Sequence, residues 1–415
     1  MLHDTGYGPP IRRRGSVLTY ALITVLGPAL AAGLLLGWHN PGSLAGPGIS
    51  RPGGGAVPAL GRTAPPRAGG VQAVISTVKP GLVIINTTLQ YNGETAAGTG
   101  MVLDAGGLVL TNNHVIDGAT RITATVASTG MTYPATVVGY DTTGDIALIR
   151  LQNASGLTAV PIGSYSSVRT GSPVVALGNA EGRGAITAKP GRVTGLSQTI
   201  TASQDGGSTN PETLYGMIQV NADIVPGDSG GPLVSSTGVV GMDTAGSDGN
   251  SQQASTGFAV PISAALSVAR QIAGGHASSA VTIGYPAFAG IVTGSGSDSS
   301  PRAQARRQDG GFSGGLGNTP RCYASHSGQT VPPVIAPVGS GALVIGTICG
   351  SPAAAAGLTG GAVITAVNGQ AVGSPDDLAG IVSRFRPGDT ISVTWVSPSD
   401  QRTTSRLRLI AGPPR

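Results

Sequence analysis

Three residues in separate segments of the chain have the side chains needed for nucleophilic acyl transfer. They are His114, Asp145 and Ser229, in that order. A serine hydroxyl is a weak nucleophile at neutral pH, so it needs an imidazole base, and the imidazole needs a buried carboxylate that fixes its tautomer. Gly227 and the glycines after Ser229 let the backbone turn sharply enough for the N–H groups of Gly227 and Ser229 to face an oxyanion. We therefore predict a catalytic triad and an oxyanion hole.

Each of these segments also has a purely structural interpretation. His114 within TNNHV fits a turn histidine at a strand end, Asp145 within GDIAL fits a turn residue before a buried strand, and GDSGG fits a glycine-rich turn. All three occur in the His, Asp, Ser order of the chymotrypsin type, and each adjoins an apolar strand. Their combination favours catalysis over coincidence.

The composition indicates which elements hold these residues. Of 415 residues, 68 are glycine and 30 are proline, whereas 4% are aromatic and 10% are charged. These values disfavour helical bundles and coiled coils, and the length predicts two folded modules with additional sequence. Short apolar runs separated by Gly, Asn, Asp and Ser turns predict an all-β domain over residues 71–275. An amphipathic helix over Ile262–Ala273 ends that domain, with Gly274-Gly275 as a hinge.

A second module is predicted over residues 276–415, interrupted by a long Gly/Ser/Arg-rich loop at 292–340. A short capped helix follows Ser351, and a second helix has Ser374 as its N-cap. Strands are expected at Ala362–Val367, which ends in an Asn-Gly turn, and in two later segments with alternating apolar residues. The module is therefore an α+β unit.

The N-terminal region predicts a membrane-anchored protein with its body outside the cytoplasm. Residues 1–16 contain three consecutive arginines near their end, and Val17–Trp38 contains no charge over 22 residues. As a helix, this segment spans about 33 Å, enough for the hydrocarbon core. The positive-inside rule makes residues 1–16 cytoplasmic, and the Gly/Pro-rich residues 39–70 form a flexible linker. A cleaved signal peptide is the alternative, and it leads to the same compartment.

Charge and cysteine content narrow the classes of partner and cofactor. The net charge is +5, but residues 71–275 contain 8 basic and 12 acidic side chains, so nucleic-acid binding is not expected. The absence of HExxH, P-loop and dinucleotide-binding motifs predicts no metal and no cofactor. Cys322 and Cys349 lie in one module on the oxidising side without a competing thiol, so we expect a disulfide; two unpaired cysteines are the alternative.

The residues from Val71 to Ile410 resemble trypsin-like serine proteases of the HtrA/DegP type with a C-terminal PDZ domain. The resemblance is carried by the segments 98–104, 110–114, 144–148, 221–232 and 256–261. It implies two six-stranded antiparallel β-barrels with the triad between them, followed by a PDZ-like domain. It also implies ATP-independent cleavage of unfolded or damaged envelope proteins.

Two features depart from the family pattern. Asp228 stands where the family usually has Asn; digestive trypsins have Asp there and pair it with a new N-terminal amine, but no IVGG-like start occurs in this chain. We expect Asp228 to be a hydrogen-bonding turn residue. The resemblance also implies a homotrimer formed through aromatic residues before the first barrel, yet Asn40–Gly70 contains none.

Substrate-binding residues are predicted in both modules. Gly241, Met242 and Thr244 are expected near a small apolar pocket. Phe288, Ala289 and Gly290 resemble the loop that binds peptide carboxyl termini in PDZ domains, although Phe288 also fits an ordinary core aromatic. Apolar C-terminal residues are expected beneath the second helix of this module.

Two function classes remain open from the sequence. The first is a membrane-tethered, single-pass, extracytoplasmic serine endopeptidase that acts on unfolded proteins or peptides. The second is a catalytically silent chaperone or adaptor that binds unfolded proteins through the cleft and the PDZ domain. A pure PDZ scaffold leaves the three catalytic segments unexplained. The intact triad favours the enzyme.

Overall fold

The computed structural model describes most of the chain after residue 70, over the ranges 71–91, 93–202, 212–247, 256–294, 296–309, 322–324 and 331–414. The predicted membrane helix Val17–Trp38 and the linker 39–70 lie outside these residues. Within the described ranges, no helix is long and apolar enough to cross a bilayer.

The first part of the protease region is a closed antiparallel barrel of six strands. Its elements are α1 (Val71–Val78), β1 (Leu82–Leu89), β2 (Glu94–Val102), β3 (Leu108–Thr111), α2 (Asn113–Ile116), β4 (Arg121–Val126), β5 (Thr132–Asp141) and β6 (Ile146–Leu151). The strand order is β5-β4-β1-β2-β3-β6, and pairing of β5 with β6 closes the sheet. Side chains alternate between the interior and solvent along β4 and β5, as expected for a barrel with one buried face.

A second closed barrel follows. It contains β7 (Pro173–Gly178), β8 (Thr187–Ala202), β9 (Glu212–Val220), β10 (Pro232–Ser235), β11 (Gly238–Ser247) and β12 (Thr256–Pro261), in the order β10-β11-β12-β9-β8-β7. Short 3₁₀ helices occur at Lys79–Gly81, Tyr165–Ser167 and Ala180–Gly182. The prediction of two six-stranded antiparallel barrels is therefore confirmed.

One apolar core joins the two barrels. Leu110 and Leu148 of the first barrel belong to the same buried cluster as Leu177 and Met242 of the second, and all four side chains are fully buried. This continuity fixes the two barrels against each other, because close-packed interiors resist displacement. Residues at the barrel junction therefore have defined positions.

Helix α3 (Ile262–Ala273) ends the second barrel as predicted, with Pro261 as N-cap and Gly274 as C-cap. The chain then forms β13 (Val281–Ile283), which pairs antiparallel with β5 and extends the first barrel sheet. Gly139, opposite Ile283, is required at this contact, because a Cβ there would lie 2.5 Å from the carbonyl oxygen of Thr282. The connector between the modules is thus attached to the first barrel.

The C-terminal module is built around a sheet in the order β15-β16-β17-β19-β20. Its elements are β14 (Ala287–Phe288), β15 (Ile291–Thr293), α4 (Pro301–Asp309), β16 (Ala342–Thr347), α5 (Pro352–Ala355), β17 (Val363–Val367), β18 (Gln370–Ala371), α6 (Pro375–Val382), β19 (Thr390–Val396), β20 (Arg402–Arg408) and β21 (Ile410–Ala411). Ser351 and Ser374 cap α5 and α6 through their hydroxyl oxygens. Asn368 and Gly369 both have positive φ in the predicted turn.

The segment expected to be a long loop at 292–340 contains helix α4, so a loop throughout is wrong. The helix forms because Gln304 anchors it: its Nε2 donates to the carbonyl oxygens of Asp298 and Gly341, and its Oε1 accepts from Leu343 N–H, each at 2.7 Å. Two of these partners are distant in sequence, which is why local composition missed them. Cys322 and Cys349 form a disulfide with Cα atoms 5.0 Å apart, tying the segment to the sheet.

Candidate active site

The imidazole of His114 is positioned at the end of strand β3. Every residue of β3 is buried, so the strand is a rigid support. Asn112 follows it with extended backbone, begins helix α2, and donates from Nδ2 to the carbonyl oxygen of Asp145 at 2.8 Å. The His114 side chain is 11% exposed. The histidine is therefore held in place by two elements while its ring stays close to the surface.

Asp145 lies in the turn between β5 and β6. The carboxylate of Asp141 organises this turn by accepting from the N–H groups of Thr143 at 2.9 Å and Gly144 at 3.1 Å. The Asp145 carboxylate is 2% exposed and accepts from the backbone N–H of His114 at 3.0 Å and from its Nδ1 at 2.8 Å. Because Nδ1 faces the carboxylate, Nε2 is the ring nitrogen available to act as the base.

Thr244 adds a third donor to the carboxylate of Asp145. Its hydroxyl donates to Oδ2, the same oxygen that faces His114 Nδ1. The carbonyl oxygen of Thr244 accepts from the hydroxyl of Ser229 at 3.2 Å. One residue of β11 therefore contacts both the acid and the nucleophile of the predicted triad, and it does so across the junction between the barrels.

The backbone around Ser229 requires glycine on both sides. Gly227 has φ +93°, and a Cβ there would lie 2.2 Å from the carbonyl oxygen of Asn179. Gly230 has φ +84°, and a Cβ there would lie 2.1 Å from the carbonyl oxygen of Thr99. Substitution at either position would displace the loop. This geometry leaves the N–H groups of Gly227 and Ser229 without an acceptor among the described residues, as an oxyanion hole requires.

Thr99 is a positioning residue that the sequence interpretation missed. From β2 of the first barrel, its hydroxyl donates to the carbonyl oxygen of Gly227 at 2.8 Å, and its N–H donates to that of Ser229 at 2.8 Å. Its hydroxyl also accepts from the N–H of Asn179 at 2.9 Å. The Gly-Thr-Gly sequence at 98–100 was the only local signal for this role. Thr99 thus fixes the nucleophile loop against the first barrel.

A buried charged cluster lies beneath the same loop. Asp228 Oδ2 accepts from Val225 N–H at 3.0 Å, as expected for a turn residue, and from Lys189 Nζ at 2.7 Å. Burial raises the pKa of Asp228, while the bonds from Lys189 and Val225 oppose that effect. Burial also raises the pKa of Asp243 well above its usual value, and the charge of Asp228 adds to the increase. Sequence interpretation identified neither Lys189 nor Asp243.

The other residues predicted to bind substrate in the protease lie on β11 beside the triad. Met242 is fully buried in the core shared by the barrels, and Gly241 pairs with Leu233 of β10. Thr244 is engaged with Asp145 as described above. The structure thus brings this segment next to Ser229 and buries the methionine side chain.

The predicted carboxylate-binding loop lies where the two modules meet. Phe288 is half-buried, and its ring stacks on that of Tyr91 in the first barrel at a centroid distance of 5.5 Å. The carbonyl oxygens of Ala289 and Gly290 accept from Ala353 and Ile348, respectively, each at 2.9 Å. The loop is therefore bound to its own module by hydrogen bonds to its carbonyl oxygens, and it contacts the protease domain through the ring of Phe288.

Comparison with known proteins agrees with this geometry. Residues 98–242 match the family described as Trypsin-like peptidase domain, and residues 345–395 match PDZ domain. The chain is 30% identical over 422 residues to Serine protease PepD of Mycobacterium tuberculosis, covering 96% of this chain and 78% of that protein. It is also 38% identical over 168 residues to Periplasmic serine endoprotease DegP of Escherichia coli, covering 40% of this chain and 33% of that protein.

A further relative is Probable periplasmic serine protease do/HhoA-like of Haemophilus influenzae, which is 32% identical over 301 residues. That alignment covers 72% of this chain and 55% of the relative. The similarity to PepD extends through both modules of this chain. The chain belongs to the HtrA/DegP-type family of trypsin-like serine proteases with a PDZ domain, and it is a serine endopeptidase.

Proposed function

We propose that this protein is a membrane-tethered extracytoplasmic endopeptidase that cleaves unfolded or damaged envelope proteins with His114, Asp145 and Ser229. The observation that carries the catalytic assignment is the 2.8 Å contact of His114 Nδ1 with Asp145, in a site where Thr244 links that carboxylate to Ser229. This arrangement supports an active enzyme over a silent adaptor, because the acid already orients the base as its role requires.

In the proposed reaction, Ser229 turns its hydroxyl from the Thr244 carbonyl toward His114 Nε2 and attacks the scissile carbonyl carbon. His114 takes the hydroxyl proton, and the Asp145 carboxylate stabilises the imidazolium. The N–H groups of Gly227 and Ser229 bind the oxyanion of the tetrahedral intermediate. His114 then gives its proton to the leaving amine, and water hydrolyses the acyl-enzyme through the same groups.

The catalytic proposal is tested with the full-length protein and its Ser229→Ala variant. We expect the wild type to react with a fluorophosphonate at Ser229 and to cleave unfolded casein, and the variant to do neither while keeping its melting temperature. If the wild-type protein neither reacts with the probe nor cleaves casein, but suppresses casein aggregation, the protein would be an adaptor and not an enzyme. Normal peptidase activity of Ser229→Ala would refute the triad.

The proposal also assigns capture of peptide C-termini to the PDZ domain. Strand β15 forms one edge of the sheet, where a peptide can add as a further strand. A cleft of about 420 Å³ lies between α6 and the first barrel; its lining includes Pro286, Ala287, Ala379, Val382, Arg384 and Arg386. The two arginines supply positive charge for a terminal carboxylate, and the apolar residues favour an apolar last side chain. Leu378 and Ile381 of the same helix belong to the buried core of the module.

Calorimetry with peptides ending in Val, as free acid and as C-terminal amide, tests this role. We expect the acid to bind more tightly and to change the rate of casein cleavage. Equal binding of the two peptides would show that the PDZ domain does not recognise the terminal carboxylate. An unchanged cleavage rate at saturating acid peptide would show that the PDZ domain does not regulate cleavage.

The cellular setting is the last part of the proposal. The uncharged segment Val17–Trp38 supports a single-pass tether, and the disulfide between Cys322 and Cys349 supports an oxidising compartment. DegP is described by its name as periplasmic. Extraction of cell membranes with carbonate should leave the full-length protein in the pellet and release a variant that lacks residues 1–38. Sedimentation velocity would show whether the family's homotrimer forms without aromatic residues in 40–70.

A further inference from the structure

Lys189 lies beneath the loop that carries the nucleophile and takes no part in the proposed chemical steps. Its Nζ donates to Asp228 Oδ2 at 2.7 Å, and Asp228 immediately precedes Ser229. The side chain of Lys189 is 18% exposed and that of Asp228 is 1% exposed. We propose that Lys189 is a positioning residue for the oxyanion hole, and that it acts through the Asp228 carboxylate.

The connection from Lys189 to the oxyanion hole runs through one tight turn. The N–H of Asp228 donates to the carbonyl oxygen of Val225 at 3.0 Å, and the N–H of Val225 donates to Asp228 Oδ2 at 3.0 Å. Gly227, which supplies one of the two oxyanion donors, lies inside this turn. The direction of the Gly227 N–H therefore depends on where the Asp228 carboxylate is held.

The carboxylate needs a cation because it is buried. Its other oxygen, Oδ1, has no hydrogen-bond partner among the described residues, and the negative charge of nearby Asp223 also disfavours the carboxylate. Removing one member of a buried ion pair leaves an uncompensated charge, which is more costly than replacing both members. Without Lys189, the carboxylate must take up a proton or move toward water. Either change alters the hydrogen bond that closes the turn at Val225.

Lys189 acts from a fixed support. It belongs to β8, where it pairs with Ala176 of β7 inside the closed second barrel. Thr99 holds the carbonyl oxygen of Gly227 from the first barrel at 2.8 Å. Thr99 and Lys189 thus contact the loop from different barrels. Of these two contacts, the one made by Lys189 joins charged groups. The inference rests on the proposed function, because it assumes that Gly227 and Ser229 bind the oxyanion.

The test measures kcat and KM for casein-derived fluorogenic peptide cleavage in the full-length protein. Lys189→Met should lower kcat by about 30-fold and change KM by less than about threefold, because oxyanion donors act mainly in the transition state. Lys189→Arg should retain most of the activity. Arg192→Met is the matched control, since it removes an exposed cation from the same strand and should leave kcat unchanged.

The double variant Lys189→Met/Asp228→Asn separates positioning from general stability. The amide that replaces the carboxylate can still accept from the Val225 N–H but carries no charge, so we expect kcat to recover to within about fivefold of the wild type. Unchanged kcat in Lys189→Met, or a folded double variant as inactive as Lys189→Met, would overturn the inference. If Lys189→Met does not fold, the kcat of the double variant alone decides: recovery supports the inference, and a folded, inactive protein overturns it. Activity of the wild type and inactivity of Ser229→Ala would still support the triad.

Discussion

The hydroxyl of Thr244 donates to the same carboxylate oxygen of Asp145 that faces His114 Nδ1. Asp145 is 2% exposed, so its charge is stabilised by these few donors and not by solvent. The contact joins β11 of the second barrel to the turn before β6 of the first. The orientation of His114, the proposed base, therefore depends on the relative position of the barrels as well as on the chain near His114.

Removing this hydroxyl should weaken catalysis without unfolding the protein. A hydrogen bond to a charged group contributes about 1.5–3 kcal/mol, which corresponds to roughly 10- to 100-fold in rate if it is needed in the transition state. We expect Thr244→Val to lower kcat by that factor at nearly constant KM, and Thr244→Ser to restore it. Steady-state kinetics on both variants is the measurement. Wild-type kcat in Thr244→Val would show that the hydroxyl is not needed.

Replacing the carboxylate itself should have a larger effect. Asp145→Asn presents an amide to His114 Nδ1 and favours the tautomer in which Nε2 carries the proton, so the base is lost. We expect kcat to fall by about 10⁴-fold with little change in KM. The rate of fluorophosphonate labelling at Ser229 should fall in parallel. Labelling at the wild-type rate would mean that His114 does not depend on Asp145.

Asp243 should make folding stability depend on pH in a defined direction. Its pKa in the folded protein lies well above 3.8 because it is buried, with the charge of Asp228 adding to the increase and Lys189 opposing it. Above pH 3.8 the unfolded chain therefore loses this proton before the folded protein does. The stability that the protonated group contributes is complete below that pH and is lost as the pH rises toward the folded pKa.

Asp243→Asn, which cannot ionise, should therefore raise the melting temperature at neutral pH. The gain corresponds to about 1.4 kcal/mol for each unit by which the folded pKa exceeds the unfolded value. It should shrink as the pH is lowered toward 3.8. Asp400→Asn removes an exposed carboxylate and serves as the control. A gain in Asp243→Asn that does not vary with pH would contradict the assignment.

The disulfide should stabilise the C-terminal module. Its cysteines are 27 positions apart, and closing a loop of this length stabilises the folded state by about 3.5 kcal/mol in the chain-entropy model. The variant Cys322→Ser/Cys349→Ser should lower the melting transition of this module and increase proteolysis of the segment before β16. Mass spectrometry after alkylation should find no free thiol in native protein. Two free thiols would exclude the bond.

The interface between the modules should depend on the stacked rings of Tyr91 and Phe288. An aromatic pair contributes about 0.5–1.5 kcal/mol beyond its buried area. Tyr91→Ala should therefore increase hydrogen exchange in β13 and β14, while Tyr91→Phe keeps the stack and should not. The second variant is needed because Tyr91 has other interactions as well. Equal protection in both variants would show that other contacts, such as the pairing of β13 with β5, hold the module without the stacked rings.

Much of the protein could be predicted from the sequence, because the signals are local. Alternating apolar residues marked strands such as β19, and the hydroxyls of Ser351 and Ser374 marked helix starts that depend only on the next three residues. The order of His114, Asp145 and Ser229 within distinctive segments was enough to predict the triad. In these cases the residue type and its immediate neighbours determine the backbone conformation or the chemistry.

The tertiary structure decided which distant residues meet. Thr99 and Gly227 are 128 positions apart, and Lys189 and Asp228 are 39 apart, yet each pair is in hydrogen-bond contact. No periodicity or motif marks such pairs, because their distance is set by closure of the barrels and by the core between them. The same holds for Gln304, whose helix lies in a segment with the composition of a loop. The sequence around a single polar side chain does not indicate which distant residue will become its partner in the folded protein.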